Sequence, residues 1–347
     1  MAEVAHKVRI GFDWSGRSVK VVRVVVRGGS PRLTHAAAGP AQVAARAVEQ
    51  ARQKGISGRG AHVGAVLPAR WSHLRQIDLP LQGEAELLAT LPFEIRRHVP
   101  LPEDEELLLE HQVLDRLEES GRLSLLTAVQ PKHDLLDHLD SLERAGLRPS
   151  RVEPAPLAAL NHLHHLPGRS RPEAGWGVLD VGGGESSIAL CRGSEAFYSR
   201  SFPIAGASFT QELVERCGLT REEAESVKKG DETLGRIRME WRGRMVPITD
   251  LVRVSVNQLI DEVRSHIALY QQRHGPVRHL YLSGGGALLP GLDGVLERRL
   301  AIPVSLVDPF EAVRLPDRWT EEEKNVLLAR APRFLVAVGL TRWWESS

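Results

Sequence analysis

The sequence predicts an α/β protein built as a duplicated two-lobe fold around a cleft, with a small α+β insert in the first lobe. Three observations predict it. A strand, an Asp-containing turn and a second strand occur near the start as "IGFDWSGRSVKVVRV" and recur near the middle as "LDVGGGESSIAL". A third glycine loop, "LYLSGGGALLPGL", stands between a strand and a helix. The length, 347 residues, suits two lobes better than one small core. A unit that returns at a long interval points to duplicated halves facing one another.

The elements follow in order. Val8 to Phe12 and the β-branched run Val19 to Val26 read as strands, joined by a turn over Asp13 to Ser18 that holds Gly16. Ala41 to Lys54 reads as a helix, and Ala61 to Pro68 and Ser72 to Pro80 as strands. Residues from about 81 to 146 form the expected insert. It holds an amphipathic helix at Glu84 to His98, strands at Leu107 to Leu114 and Leu123 to Val129, and a helix at Lys132 to Ala145 capped by Gly146. A short strand then leads into a helix starting near Pro154, where a proline is tolerated because its N–H would be unpaired anyway. The stretch "PGRSRPEAG" reads as the connection between lobes.

The second lobe repeats the plan. Its hairpin is followed by a third strand, "FYSRSFPIAG", and by helices at Ala207 to Cys217 and Arg221 to Lys229, the latter opened by the capping box Thr220 to Glu223. A small hairpin at "GRIRMEWRGRMVPI", a long helix at Val252 to Arg273, and a closing helix at Phe334 to Trp344 complete the order. The expected lobes are 1–170, with its core at 1–80 and 147–170, and 171–330, with 331–347 returning to the first.

Composition narrows function. Lys plus Arg is 45 and Asp plus Glu is 44, a balance that gives no support to a nucleic-acid binder. Two cysteines without CxxC spacing argue for reduced thiols. "NHLHHL" puts Asn161, His164 and His165 on one side of a helix without an evident carboxylate or Cys companion, so a solvated helix end is favoured over a metal site. The polar start and the lack of any run of about 20 apolar residues give no transmembrane segment.

Each glycine turn alone is weak evidence; together they make a clamp. Two hairpin turns meeting across a cleft can hold a triphosphate from both sides. Gly182, Gly183 and Gly184 would let backbone N–H groups reach phosphate oxygens without a Cβ in the way. Asp13 and Asp180, one per hairpin, would sit near Mg²⁺ and act through its waters. Lys20 would offset phosphate charge. Ser186 and Ser187 read either as hydrogen-bond donors or as polar strand residues. Gly284, Gly285 and Gly286 would let a third backbone loop lie flat against a ligand.

These motifs resemble the superfamily of actin, the sugar kinases and the heat-shock ATPases. Within it they are similar to the PilM family of cytoplasmic actin-like proteins of type IV pilus assembly, related to FtsA. "GFDWSGRSVKVVRV" and "LDVGGGESSIAL" resemble the two phosphate hairpins and "LYLSGGGALLPGL" the adenosine loop. "VEPAPLAAL" and "PRFLVAVGL" resemble the connecting and closing helices, and "FEIRRHVPLPEDEELLLEHQVL" the family's insert. The resemblance implies an actin-like (ribonuclease H-like) fold that binds ATP and Mg²⁺ and is at most a weak ATPase. It implies a scaffold peripheral to the inner membrane, with the cytoplasmic N-terminal peptide of PilN as partner. Pilus motor ATPases and self-association are further expected contacts.

The resemblance also bears on single residues. The helix with Glu225 and Lys228 resembles one that contacts ribose and adenine, and reads equally as a solvated face with an i,i+3 ion pair. Glu153 resembles the acid that orients the hydrolytic water, or stands at a helix N-terminus for the dipole alone. One position departs from the family: Ser15 stands where the Asp-x-Gly of the first hairpin expects glycine, with Gly16 next to it. That favours binding over hydrolysis. The alternatives are a small-molecule kinase of the same superfamily and a secretion-platform protein without nucleotide; chains of the latter kind run on into a transmembrane helix, whereas this one ends at "RWWESS".

Overall fold

A computed structural model describes residues 7–14, 18–40, 61–117, 120–166, 174–193, 196–229, 240–241 and 244–342. The expected helix at Ala41 to Lys54, most of the connection between lobes, and the turn positions Ser15 and Gly16 lie outside them.

The first sheet begins with β1 (Lys7–Trp14), β2 (Ser18–Arg27) and β3 (Ser30–Pro40), an antiparallel meander, with β4 (His62–Leu67) parallel to β1. β2 is a near-continuous Val run because both its faces are covered. Val19 and Val21 join Ile10, Phe12 and Leu142 in one cluster, whereas Val22 and Val24 join Phe310, Phe334 and Ala337 in another. β3, which the sequence did not announce, is ordered by its pairing with β2 from Ser18↔Pro40 to Arg27↔Ser30.

The small sheet has the order β5-β7-β6, from β5 (His73–Pro80), β6 (Leu107–Leu117) and β7 (Arg122–Pro131). It therefore takes in a strand that precedes residue 81, the expected start of the insert. Helix α1 (Glu84–Arg96) buries Leu87, Leu91 and Ile95 against Ile77, Leu79, Leu123 and Leu125. Helix α2 (Lys132–Arg144) instead puts Leu142 into the core of the first sheet. Gly146, with φ of 83°, ends it, and Leu147 N–H reaches back to Leu142 O.

β8 (Arg151–Pro154) completes the order β3-β2-β1-β4-β8 and runs into α3 (Ala155–His164). The second lobe has β9 (Gly175–Val181), β10 (Ser186–Arg192) and β11 (Ala196–Phe202), then helices α4 (Gly206–Cys217) and α5 (Arg221–Lys228). The Thr220–Glu223 capping box forms in both directions. After the two-residue strands β12 (Glu240–Trp241) and β13 (Arg244–Met245) come α6 (Ile248–Leu251), α7 (Arg253–His274), β14 (Val277–Ser283), α8 (Leu292–Leu300) and β15 (Val304–Leu306). The sheet order β11-β10-β9-β14-β15 repeats the first sheet, with an antiparallel meander and then two parallel strands. The duplication read from the two hairpins is thus a duplication of whole sheets.

The chain then returns to the first lobe. Arg314 exchanges backbone hydrogen bonds with the start of β3, and α9 (Glu321–Leu328) follows. The closing element is shorter than Phe334 to Trp344: a 3-10 turn at Ala331–Phe334 leads into α10 (Leu335–Gly339). Its path is fixed by two glycines. A Cβ on Gly11 would lie 1.8 Å from Ala337 O, and one on Gly339 would lie 2.0 Å from Ala158 O. α10 is therefore pressed onto β1 on one side and α3 on the other. Both helices share a cluster with residues of the two sheets, including Val66, Val178 and Tyr281. They sit between the lobes at the base of the cleft.

Candidate functional site

The two hairpins deliver their carboxylates to one place. Asp13, at the end of β1, and Asp180, at the end of β9, line a common cleft with Pro68, Ala69 and Ala155 from the first lobe. The second lobe adds Gly182, Gly183, Gly184, Glu185 and Ser187, and the closing helix adds Val336.

Asp13 and Lys20 are cross-strand partners in β1 and β2, and Lys20 Nζ lies 2.7 Å from Asp13 Oδ2. Both are buried. Asp13 Oδ1 has no hydrogen-bond partner among the described residues. Asp180 is flanked by Ser187 on β10 and Ser283 on β14. Burial pushes its carboxyl above the usual range, and Lys20 pulls it back.

The glycine run forms a closed turn, with Gly182 N–H donating to Glu185 O at 3.0 Å. A Cβ on Gly182 would meet that carbonyl at 2.5 Å, so the turn itself demands glycine. α4 starts against the same turn: Gly206 N–H donates to Gly182 O and Ala207 N–H to Gly183 O. The third loop packs beside it. A Cβ on Gly284 would lie 2.3 Å from Val181 O, and one on Gly286 would lie 2.6 Å from Val181 Cγ1. The missing Cβ of Gly285 faces open space. Two of these three glycines thus serve packing, and the third leaves a surface that a flat ligand can approach.

Other expected site residues take different places. Ser186 is buried and gives its hydroxyl to Ile204 O at 2.6 Å, a structural role, while Ser187 lines the cleft. Glu225 and Lys228 are not a solvated pair. Lys228 Nζ donates to Glu225 Oε1 at 2.6 Å, Thr210 Oγ1 at 2.8 Å and Gly206 O at 3.1 Å, tying α5 to the first turn of α4. Glu153 is buried, accepts from Asn161 Nδ2 at 2.7 Å, and does not belong to the cleft lining, which begins two residues on at Ala155. Burial pushes its carboxyl up, against Arg151 and the Asn161 hydrogen bond.

Three participants were not read from sequence. Arg70 and Glu185 reach across the cleft to each other at 3.3 Å. Burial pushes Glu185 up and Arg70 pulls it down. Arg333 lies close enough to Asp13 for that carboxylate to favour its charged form, although burial and Arg330 oppose it. Glu185 stands inside the glycine motif, where its position in the sequence marks it; the other two are placed by tertiary contact alone.

The residues fit a magnesium ion held through water. The buried Asp13 Oδ1 is an acceptor that a metal-bound water would satisfy. Among the described residues no cluster of three or more His, Cys, Asp or Glu side chains could hold a metal.

Residues 11–342 match the family described as type IV pilus assembly protein PilM. The chain belongs to this family. It is also similar to the PilM-PilN type IV pilus biogenesis complex, at 27% identity and a TM-score of 0.78 over 96% of this chain and 97% of that one. The ethanolamine utilization protein EutJ of Carboxydothermus hydrogenoformans shares the fold at 18% identity and a TM-score of 0.52, over 97% of this chain and 89% of that one. Among curated relatives, the cell division protein FtsA of Escherichia coli is 24% identical over 60% of this chain and 51% of its own length. EutJ of Escherichia coli is 29% identical over 50% of this chain and 53% of its own. The chain thus spans about half the length of these curated relatives. The family's fold is actin-like, and the repeated sheets, the helices α3 and α10 packed between them and the cleft are its form in this chain. Among the described residues no helix is long and apolar enough to cross a membrane.

Proposed function

We propose that the chain is an ATP-binding, actin-like scaffold of the type IV pilus inner-membrane assembly platform that docks the cytoplasmic N-terminal peptide of PilN. The observation that carries this reading is the likeness, over nearly the whole chain, to the protein of the PilM-PilN complex. The likeness includes the insert, the part that sets this family apart from other actin-like proteins by sequence. On this reading the chain is cytoplasmic and held at the inner membrane through PilN, with pilus motor ATPases and further copies of itself as additional contacts.

ATP belongs to the same reading. Asp13 and Asp180 would hold Mg²⁺ through its waters, Lys20 and the glycine turn at Gly182 to Gly184 would receive phosphates, and the loop at Gly284 to Gly286 would carry the adenosine. Bound Mg²⁺ would offset the phosphate charge beside these two carboxylates. On this reading hydrolysis is at most slow.

The test is titration calorimetry with a synthetic peptide of the PilN cytoplasmic N-terminus, with and without MgATP. Saturable one-to-one binding is expected. Heat no different from a scrambled peptide in both conditions would overturn the docking reading.

A further inference from the structure

The structure assigns Arg70 and Glu185 as a gate on the phosphate seat: Glu185 competes with nucleotide phosphate for the Arg70 guanidinium. The inference rests on the nucleotide reading above and concerns what sets its affinity.

Arg70 comes from the first lobe, in the 3-10 turn Ala69–Trp71 that follows β4. Glu185 comes from the second lobe, as the last residue of the glycine turn. Their side chains meet at 3.3 Å between Arg70 Nη1 and Glu185 Oε1. Ala69, next to Arg70, lines the same cleft as Asp13, Asp180 and the three glycines. A guanidinium paired with the last residue of that turn stands beside the turn, and guanidinium matches phosphate in a fork of parallel hydrogen bonds. The Trp71 ring, 4.6 Å from the Arg70 guanidinium, keeps it at the mouth of the cleft.

The charge balance gives Glu185 the opposite role. Three carboxylates line the seat, and of these Asp13 has Lys20 as its ion-pair partner. Glu185 adds a negative charge where a polyanion is to bind, and the charge of Asp180 opposes its ionisation. Its carbonyl is needed to close the turn onto Gly182 N–H, but the carboxylate is not part of that closure. The pair is also easily exchanged: Arg70 keeps 42% of its side-chain surface in water and Glu185 keeps 21%, and ion pairs of that exposure are weak. A phosphate carrying more charge than one carboxylate would take the arginine over. The lobes would then be joined through nucleotide instead of through Glu185.

The experiment is titration calorimetry of MgATP and MgADP into the wild-type chain, Glu185→Gln, Arg70→Gln and the double variant, with thermal midpoints of all four recorded without nucleotide. Glu185→Gln should bind MgATP about tenfold more tightly, because a charge is removed and an arginine released. Arg70→Gln should bind about tenfold more weakly, and the ATP-to-ADP affinity ratio should fall. Without nucleotide, the two single changes should lower the midpoint alike and the double change no further. Unchanged or weaker MgATP binding by a folded Glu185→Gln, with the wild type binding, would overturn the gate alone. No MgATP binding by the wild type and by Glu185→Gln, both folded, would overturn the nucleotide reading and the gate with it.

Discussion

Lys20 Nζ rests 2.7 Å from Asp13 Oδ2 across β1 and β2, with only 10% and 4% of the two side chains in water. The first hairpin therefore carries an internal ion pair, and Lys20 offsets the Asp13 charge where water is largely excluded. Losing one member of such a pair strands the other. Lys20→Met should cost about 3 kcal/mol in urea unfolding. A cost below about 1 kcal/mol would mean that water reaches Asp13 in the folded chain.

The glycines divide into those the fold needs and one that a ligand would need. Gly11→Ala drives a methyl into Ala337 O, backbone against backbone, and should cost about 3 kcal/mol or more. Gly285→Ala adds a methyl to open space at a φ of −70° and should leave the unfolding midpoint within the error of the measurement. If that loop carries adenosine, the same variant should lose nucleotide affinity. A stable variant with unchanged affinity would remove the loop from the site.

Much of this was legible. The β-branched runs marked the hairpin strands, the repeated Asp turns marked the duplication, and the capping box opened α5 at Thr220. β3 was not legible, because "SPRLTHAAAGP" has no alternation and a single β-branched residue, Thr34, and becomes a strand through pairing with β2. Nor could the sequence show that β5 joins the small sheet, which depends on its pairing with β7. The glycine motif located the closed turn that lines the cleft, but side-chain direction decided the rest. Ser186 turns to Ile204 O, Glu153 to Asn161 and Lys228 to α4.

Lys228 links α5 to the start of α4, and α4 braces the glycine turn through Gly206 and Ala207. Lys228→Met should destabilise by about 2 kcal/mol, since charge-assisted hydrogen bonds to Glu225, Thr210 and Gly206 O are lost together. Hydrogen exchange should quicken at Gly206 and Ala207. Unaltered exchange there would show that the turn does not depend on α5.

Glu153 is an acid whose folded pKa lies above its unfolded one, because burial opposes its charge. The folded state binds its proton more tightly, so its contribution is full below the unfolded pKa and is lost as pH rises through the folded pKa. Glu153→Gln cannot ionise and should not share that loss. The stability of the variant relative to wild type should therefore rise as pH is raised above the ordinary carboxylate pKa of about 4. A flat difference in urea titrations above that pH would contradict the buried, disfavoured carboxylate.

Asp180 faces Asp13 across the cleft, and the nucleotide reading turns on it. The measurement is calorimetric titration of MgATP into the wild-type chain and Asp180→Ala, with unfolding midpoints of both. Wild type should bind, and the variant should bind about tenfold more weakly or not at all, because an anchor of the Mg²⁺ water shell is gone. Its midpoint should hold, since burial already disfavours the Asp180 charge. Equal affinity in the two folded proteins would contradict the account.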